Sequence, residues 1–142
     1  MKKFISIVAA VATVVFVGCS KDDDLKPSTD NIAGSWEVYK EYWEEEWVDD
    51  GEKFSDNNWE DYDEGEMVYT FEKNGLFTLT MDGKYRESGS YTLNGKILTV
   101  AYSDVNNTYT IKSLTSNELV LVEKEEYQDY KGYTELYLKR IK

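Results

Sequence analysis

The chain of 142 residues contains no histidine, one cysteine and one proline. Without histidine there is no imidazole general base, no serine–histidine triad and no histidine metal site. A single thiol, Cys19, excludes an internal disulfide and any cysteine cluster for metal. Positive charge is scarce as well: 16 Lys and Arg stand against 28 Asp and Glu, for a net charge of −12. Such a surface repels polyanions, which argues against nucleic acid as a partner. The longest apolar run, Phe4 to Val17, has 14 residues. A helix of that length falls short of a bilayer core of about 30 Å. No stretch shows an amphipathic helical period of useful length.

The apolar run nevertheless follows Lys2 and Lys3 and precedes Gly18 and Cys19, the order of a secretory signal segment. A lone cysteine could be a small buried hydrophobe, and the run could be a retained anchor. Phe16-Val17-Gly18-Cys19 resembles the lipobox of bacterial lipoproteins. The resemblance implies cleavage before Cys19 and lipid attachment to it, hence a bilayer partner without a transmembrane helix. Several acyl chains hold a protein stably, at roughly 0.8 kcal/mol per buried CH₂. Loss of residues 1–18 removes two lysines and no acid, leaving 14 basic and 28 acidic side chains and a net charge of −14. Ser20-Lys21-Asp22-Asp23-Asp24 resembles the acidic stretch of surface-exported lipoproteins of Bacteroidetes-type bacteria. The expected location is the outer membrane, facing the cell surface or else the periplasm. Residues 19–31, polar and holding Pro27, read as the lipidated cysteine and a flexible acidic tether. Residues 32–142 are one domain.

From Met67 onward, short strand-like runs are separated by turn signals. Asn74-Gly75, Asp82-Gly83 and Asn94-Gly95 supply the positive φ angles of tight hairpins. Phe77, Leu79 and Met81 alternate with Thr78, Thr80 and Asp82, as in a strand with one face buried. Met67, Tyr69 and Phe71 form a similar row, as do Tyr109 and Ile111. Leu119 to Val122 is apolar on both faces. With Gly34 to Tyr42 the pattern gives eight strands in meander order. A meander must hide its edges, and closure into a barrel is the usual means. Ile32-Ala33-Gly34-Ser35-Trp36 resembles the Gly-x-Trp opening of lipocalins, and the stretch from Tyr69 to Tyr91 is similar to bacterial lipocalin-like lipoprotein domains. The expected fold is thus all-β, an eight-stranded antiparallel up-and-down lipocalin-like barrel. The resemblance further implies a structural contact in which Arg140, near the last strand, stacks on Trp36.

Residues 41–66 interrupt the meander with thirteen acids against Lys53 alone, interleaved with Tyr42, Trp43, Trp47, Phe54, Trp59 and Tyr62. Val48-Asp49-Asp50-Gly51-Glu52 is a hairpin signal, so part of the segment extends strands past the barrel while the remainder, within 44–64, forms a lid. All twelve tyrosines lie after residue 18. A sealed core favours Phe, Leu and Val, because each buried hydroxyl needs a partner. Tyr69, Phe77, Leu79, Tyr85, Tyr91 and Tyr109, with Trp43 and Trp59 above, are therefore the candidate ligand-binding residues. The ligand would be small and apolar or amphipathic, or the barrel a scaffold whose tyrosine hydroxyls reach solvent at its ends. The other reading is a surface recognition module in which segment 41–66 meets glycan, calcium or a cationic protein. Calcium would draw on Asp56, Asn58, Glu60, Asp61, Asp63 and Glu64, although their spacing is not that of an EF-hand. Glycan would use the flat faces of Trp43, Trp47 and Trp59. A hydrolase built on two carboxylates is the weakest reading, since no pair stands out among so many acids. No cofactor and no catalytic residue are expected.

Overall fold

The computed structural model describes residues 24–142. Cys19 and the signal segment lie outside the described residues, as does the side chain of Tyr85. Nine antiparallel strands follow one short helix, α1 (Thr29–Ile32), among the described residues. They are β1 (Gly34–Asp49), β2 (Glu52–Asp61), β3 (Met67–Phe71), β4 (Leu76–Met81), β5 (Tyr85–Asn94), β6 (Ile97–Tyr102), β7 (Val105–Leu114), β8 (Glu118–Tyr127) and β9 (Tyr130–Arg140). Each strand from β3 to β9 pairs with the next, and β9 closes on β1, which also pairs with β3. Eight strands therefore form a closed barrel. β2 stands outside it, paired with the upper half of β1.

Strand length sets the shape. β1 pairs with β3 only through Gly34 to Glu37, and β7 pairs with β8 only as far as Val122. Above that level four strands continue alone, in the order β2-β1-β9-β8. The sixteen residues of β1 run about 50 Å at ~3.3 Å each, and roughly its upper half lies in this projecting sheet. At its tip Asp50 and Gly51 have φ of 48° and 81°. Two successive positive φ angles in a two-residue loop make the type I′ turn that suits the twist of a hairpin.

The barrel interior holds one apolar cluster. Trp36, Leu98, Leu119, Leu121 and Leu138 are fully buried, and Phe71 and Phe77 are 1% exposed. Full burial of such a side chain is worth about 1.5–3 kcal/mol. Rings pack edge to face and tilted: Phe71 lies 5.1 Å from Tyr91 and 5.4 Å from Phe77, and Tyr69 lies 5.6 Å from Phe77. A register shift between Val38 and Lys40 marks a bulge in β1. Val38 stays inside while Tyr39 turns out to meet Tyr137.

The base of the barrel is sealed by the chain on its way in. Ser28 caps α1, its hydroxyl accepting from the Asn31 N–H at 3.1 Å. Ile32 is buried, and its carbonyl accepts the Trp36 indole N–H at 2.8 Å. The Leu25 N–H donates to the Leu114 carbonyl at 2.6 Å, and its side chain packs against the core. The flexible tether expected over residues 19–31 is therefore docked from Asp24 onward. Its polar sequence concealed an apolar anchor, Leu25, and a main-chain bond to β7. Chain entry, the C-terminus and the β3–β4, β5–β6 and β7–β8 turns all lie at this base. The projecting sheet leaves from the opposite end.

Candidate functional site

The candidate ligand residues separate into two groups. Tyr69, Phe77, Leu79, Tyr91 and Tyr109 belong to the buried cluster, none more than 7% exposed. Tyr69 packs on Phe77, and Phe77 and Tyr91 both pack on Phe71, so these side chains are part of the core. The tyrosine hydroxyls that suggested a wet cavity have protein partners. Tyr91 donates to the Glu72 carbonyl at 2.7 Å, and Tyr109 accepts from Asn107 at 3.2 Å and bonds to Tyr69. Burial raises the Tyr69 and Tyr109 hydroxyl pKa values, Tyr69 furthest, with the neighbouring phenol of Tyr109 adding to it. Tyr85 pairs in register with Met81 on β5.

Trp43 and Trp59 lie instead on the projecting sheet. The lid expected within residues 44–64 is this hairpin: β1 and β2 pair without a break from Lys40–Asp61 to Asp49–Glu52. The ribbon is continuous with the barrel wall through β1 and β9, so it extends the wall as paired strands where a loop was expected. Register partners share a face of a sheet, and neighbours along a strand alternate faces. Trp59 pairs with Tyr42 and Trp43 with Asn58, so the two tryptophans point to opposite faces. One glycan platform of Trp43, Trp47 and Trp59 is thereby ruled out. The calcium set is divided in the same way, with Asp61 opposite in direction to Asp56, Asn58 and Glu60. No group of three candidate metal ligands converges among the described residues.

The outer face, continuous with the outside of the barrel, is an aromatic ladder. Trp59 lies 4.9 Å from Tyr42 and 5.7 Å from Tyr137, and the Lys40 ammonium sits 4.6 Å over its ring. Beneath them Glu135 is 6% exposed and accepts from Lys112 Nζ at 2.6 Å and from the hydroxyls of Tyr133 and Tyr137. Burial opposes its ionisation, but these donors prevail and hold the carboxyl below its ordinary value. Its hydrogen bond pushes the Tyr137 hydroxyl up to about 12. This ladder fastens the hairpin to β9. Among the described residues no buried side-chain polar atom lacks a hydrogen-bond partner, and the ladder reads as structural.

The inner face, continuous with the barrel interior, is different. At one level across all four strands stand Phe54, Trp47, Tyr130 and Tyr127, each in register with the next. Trp47 and Phe54 stack at 5.7 Å with an interplanar angle of 17°, and Tyr127 and Tyr130 are 6.0 Å apart. Phe54 is 41% and Tyr127 66% exposed. The next level toward the barrel is Asp56, Glu45, Gly132 and Glu125. Tyr130 leans over Gly132, donating to Glu45 at 2.9 Å, and a Cβ on Gly132 would meet that hydroxyl at 2.8 Å. Burial and the Glu45 carboxylate push the Tyr130 hydroxyl up to about 12. Below these, Glu41 accepts from Tyr62, and the Glu123 pKa is raised by burial and by repulsion from Glu125 and Glu41. A cleft of about 370 Å³ opens at the tip among Trp47, Phe54, Lys53, Tyr127, Tyr130 and Lys131.

An aromatic row beside an acidic row is suited to an organic cation. The carboxylates attract the charge while the rings take its alkyl stem or its guanidinium face. The composition of segment 41–66 pointed to this chemistry; the partners from β8 and β9, Glu125, Tyr127 and Tyr130, did not stand out. Their signal was the alternation of Glu123, Glu125 and Tyr127, split between a strand-like run that ends at Glu125 and the looser stretch from Glu126 to Lys131.

A family model of the lipocalin-like domain matches residues 32–121. The chain belongs to this family. The match runs from α1 into β8 and so covers most of the closed barrel. The opening Gly34-Ser35-Trp36 of the lipocalin-like barrel places Trp36 at its base, where the Arg140 guanidinium lies 4.1 Å over the ring. No curated protein matches the chain. The lipocalin-like fold is compatible with ligand binding or with a scaffold role, and its interior does not choose between ligands.

Proposed function

We propose that this lipocalin-like protein is a non-enzymatic, lipid-anchored recognition module whose barrel is a pedestal for the projecting sheet. The observation that carries the reading is the pair of adjacent rows on the inner face. Phe54, Trp47, Tyr130 and Tyr127 stand directly above Asp56, Glu45 and Glu125. The partner is a cationic protein or peptide whose Lys or Arg heads meet the acids while their stems cross the rings. Lipidation at Cys19, only five residues before Asp24, would hold the sealed base toward the outer membrane and point the tip away from it. The raised pKa of Glu123 supports the same direction, because a bound cation relieves the crowding of negative charge there.

The reading is tested by titrating decalysine into the full chain at low salt. Glu45→Gln, Asp56→Asn and Glu125→Gln together are expected to weaken binding about tenfold, since three exposed pairs at ~0.2–1 kcal/mol each approach the 1.4 kcal/mol of one decade. Asp24→Asn, Asp30→Asn and Glu72→Gln make the same change in net charge at the base and are expected to have an effect under about twofold. Equal losses in the two triple variants would reduce the attraction to net charge and sink the proposal.

A further inference from the structure

β2 is the edge of the nine-stranded sheet, with β1 on one side and no strand on the other among the described residues. It is ten residues long, contains no proline, and pairs with β1 over ten consecutive positions without a bulge. Short strands, prolines, bulges and charged side chains are the usual devices that blunt an edge, and β2 has only the last, in Glu52, Lys53, Asp56, Glu60 and Asp61. The type I′ turn makes Asp49 and Glu52 a hydrogen-bonded pair, and antiparallel ladders alternate from there. Lys53, Ser55, Asn57, Trp59 and Asp61 therefore direct their main-chain N–H and C=O groups away from β1. The Asn57 N–H is taken up by its own neighbour, the Asp56 carboxylate, at 2.8 Å. The other free edge of the projecting sheet, Glu123 to Tyr127 on β8, is half as long.

We infer that the β2 edge takes up an extended basic polypeptide by strand addition, so that the partner becomes the next strand of the projecting sheet. The inference rests on the recognition reading above and specifies its geometry. Main-chain bonds give such an interface its affinity and alternate side chains its selectivity. Glu52, Asp56, Glu60 and Asp61 outnumber Lys53 on this strand. A second copy of β2 would set like charges opposite one another, which is destabilising, whereas a basic strand sets opposite charges there. On the inner face β2 presents Phe54, Asp56, Asn58 and Glu60 in order. The matching strand carries an apolar residue opposite Phe54 and basic residues opposite Asp56 and Glu60. It lengthens the aromatic row by one side chain and places a cation at the end of the acidic row.

The test uses the full chain and a nine-residue threonine-rich peptide that carries lysine, threonine, lysine and valine at successive alternate positions, one face complementary to Glu60, Asn58, Asp56 and Phe54, with binding followed by calorimetry at low salt. Ser55→Pro removes an N–H that faces outward, a position where an edge strand tolerates proline, whereas Asn57→Pro removes one already bound by the Asp56 carboxylate. Ser55→Pro is expected to weaken binding about tenfold and Asn57→Pro by under about threefold, both leaving the thermal transition in place. The same peptide N-methylated along its backbone keeps its charge, loses its donors, and is expected to bind as weakly without any change to the protein. Equal binding by both peptides, and by the parent chain and Ser55→Pro, would overturn strand addition and leave charge recognition standing. Absence of binding at low salt would overturn both. A concentration-dependent dimer abolished by Ser55→Pro would assign the edge to a second copy and overturn the inference.

Discussion

Trp36→Ala is expected to destabilise the protein by about 3–5 kcal/mol, the range for removing a large ring from a packed core. Three consequences fall on one residue. The side chain is fully buried, so its removal leaves a void at the base of the barrel. Its indole N–H is the donor to the Ile32 carbonyl, which holds α1 against the base. Its ring is also the surface on which Arg140 lies. That guanidinium donates to the carbonyls of Ala33 at 2.6 Å, Asn31 at 2.7 Å and Ser116 at 2.7 Å, joining chain entry, the β7–β8 turn and the last strand. Trp36→Phe keeps much of the volume and leaves the buried Ile32 carbonyl without its donor, so its cost should be about 1–3 kcal/mol. Urea unfolding of the two variants reads both values. A loss below about 1 kcal/mol for Trp36→Ala would show that the base does not organise the barrel.

Gly89→Ala should cost about 3 kcal/mol or more, although it adds a single methyl group. Gly89 lies in β5 between Phe77 and Tyr102, whose rings are 5.7 Å apart. A Cβ there would stand 1.8 Å from the Ala101 carbonyl oxygen and 2.8 Å from the Tyr102 Cα. Both obstacles are backbone, so no rotamer change relieves them, and β5 must move away from β6. Overpacking of a core typically costs 1–3 kcal/mol and more where the backbone has to shift. A glycine within a strand often marks such a close approach. Urea unfolding of Gly89→Ala with an unchanged midpoint would mean that β5 and β6 are further apart than described.

Much of this architecture was legible because turns and alternation are local. Asn74-Gly75 and Asp82-Gly83 mark hairpins, and the rows through Tyr69, Phe71, Phe77 and Leu79 point inward as their period of two requires. Leu119 to Val122 resisted assignment for a reason the structure explains. Leu119 and Leu121 face the core, while Val120 and Val122 are buried on the outer face, which also carries Glu135, Tyr133 and Tyr137. The extension of β1 to Asp49 was harder to see. Glu44-Glu45-Glu46 has poor strand propensity, and it is held extended by partners on both sides, β2 and β9, that are distant in the sequence. The tyrosine-rich composition misled for a related reason. Hydroxyls that seemed to need water find Glu72, Asn107 and each other: Asn107 is two residues before Tyr109 on β7, while the Tyr91–Glu72 and Tyr69–Tyr109 contacts are made between strands. The inner-face site depends most of all on tertiary register. Half of its aromatic row comes from β8 and β9, some 80 residues after β1.

The most direct measurement is a map of backbone and indole chemical shifts as decalysine is added to the full chain. If the projecting sheet is the recognition surface, the shifts concentrate at the indole N–H groups of Trp43 and Trp47 and at the amides of Asp56, Glu125 and Gly132. The amides of Tyr69, Leu79, Tyr91 and Tyr109 then stay where they were. Shifts centred on those four residues, with the sheet silent, would place the ligand inside the barrel and contradict the account.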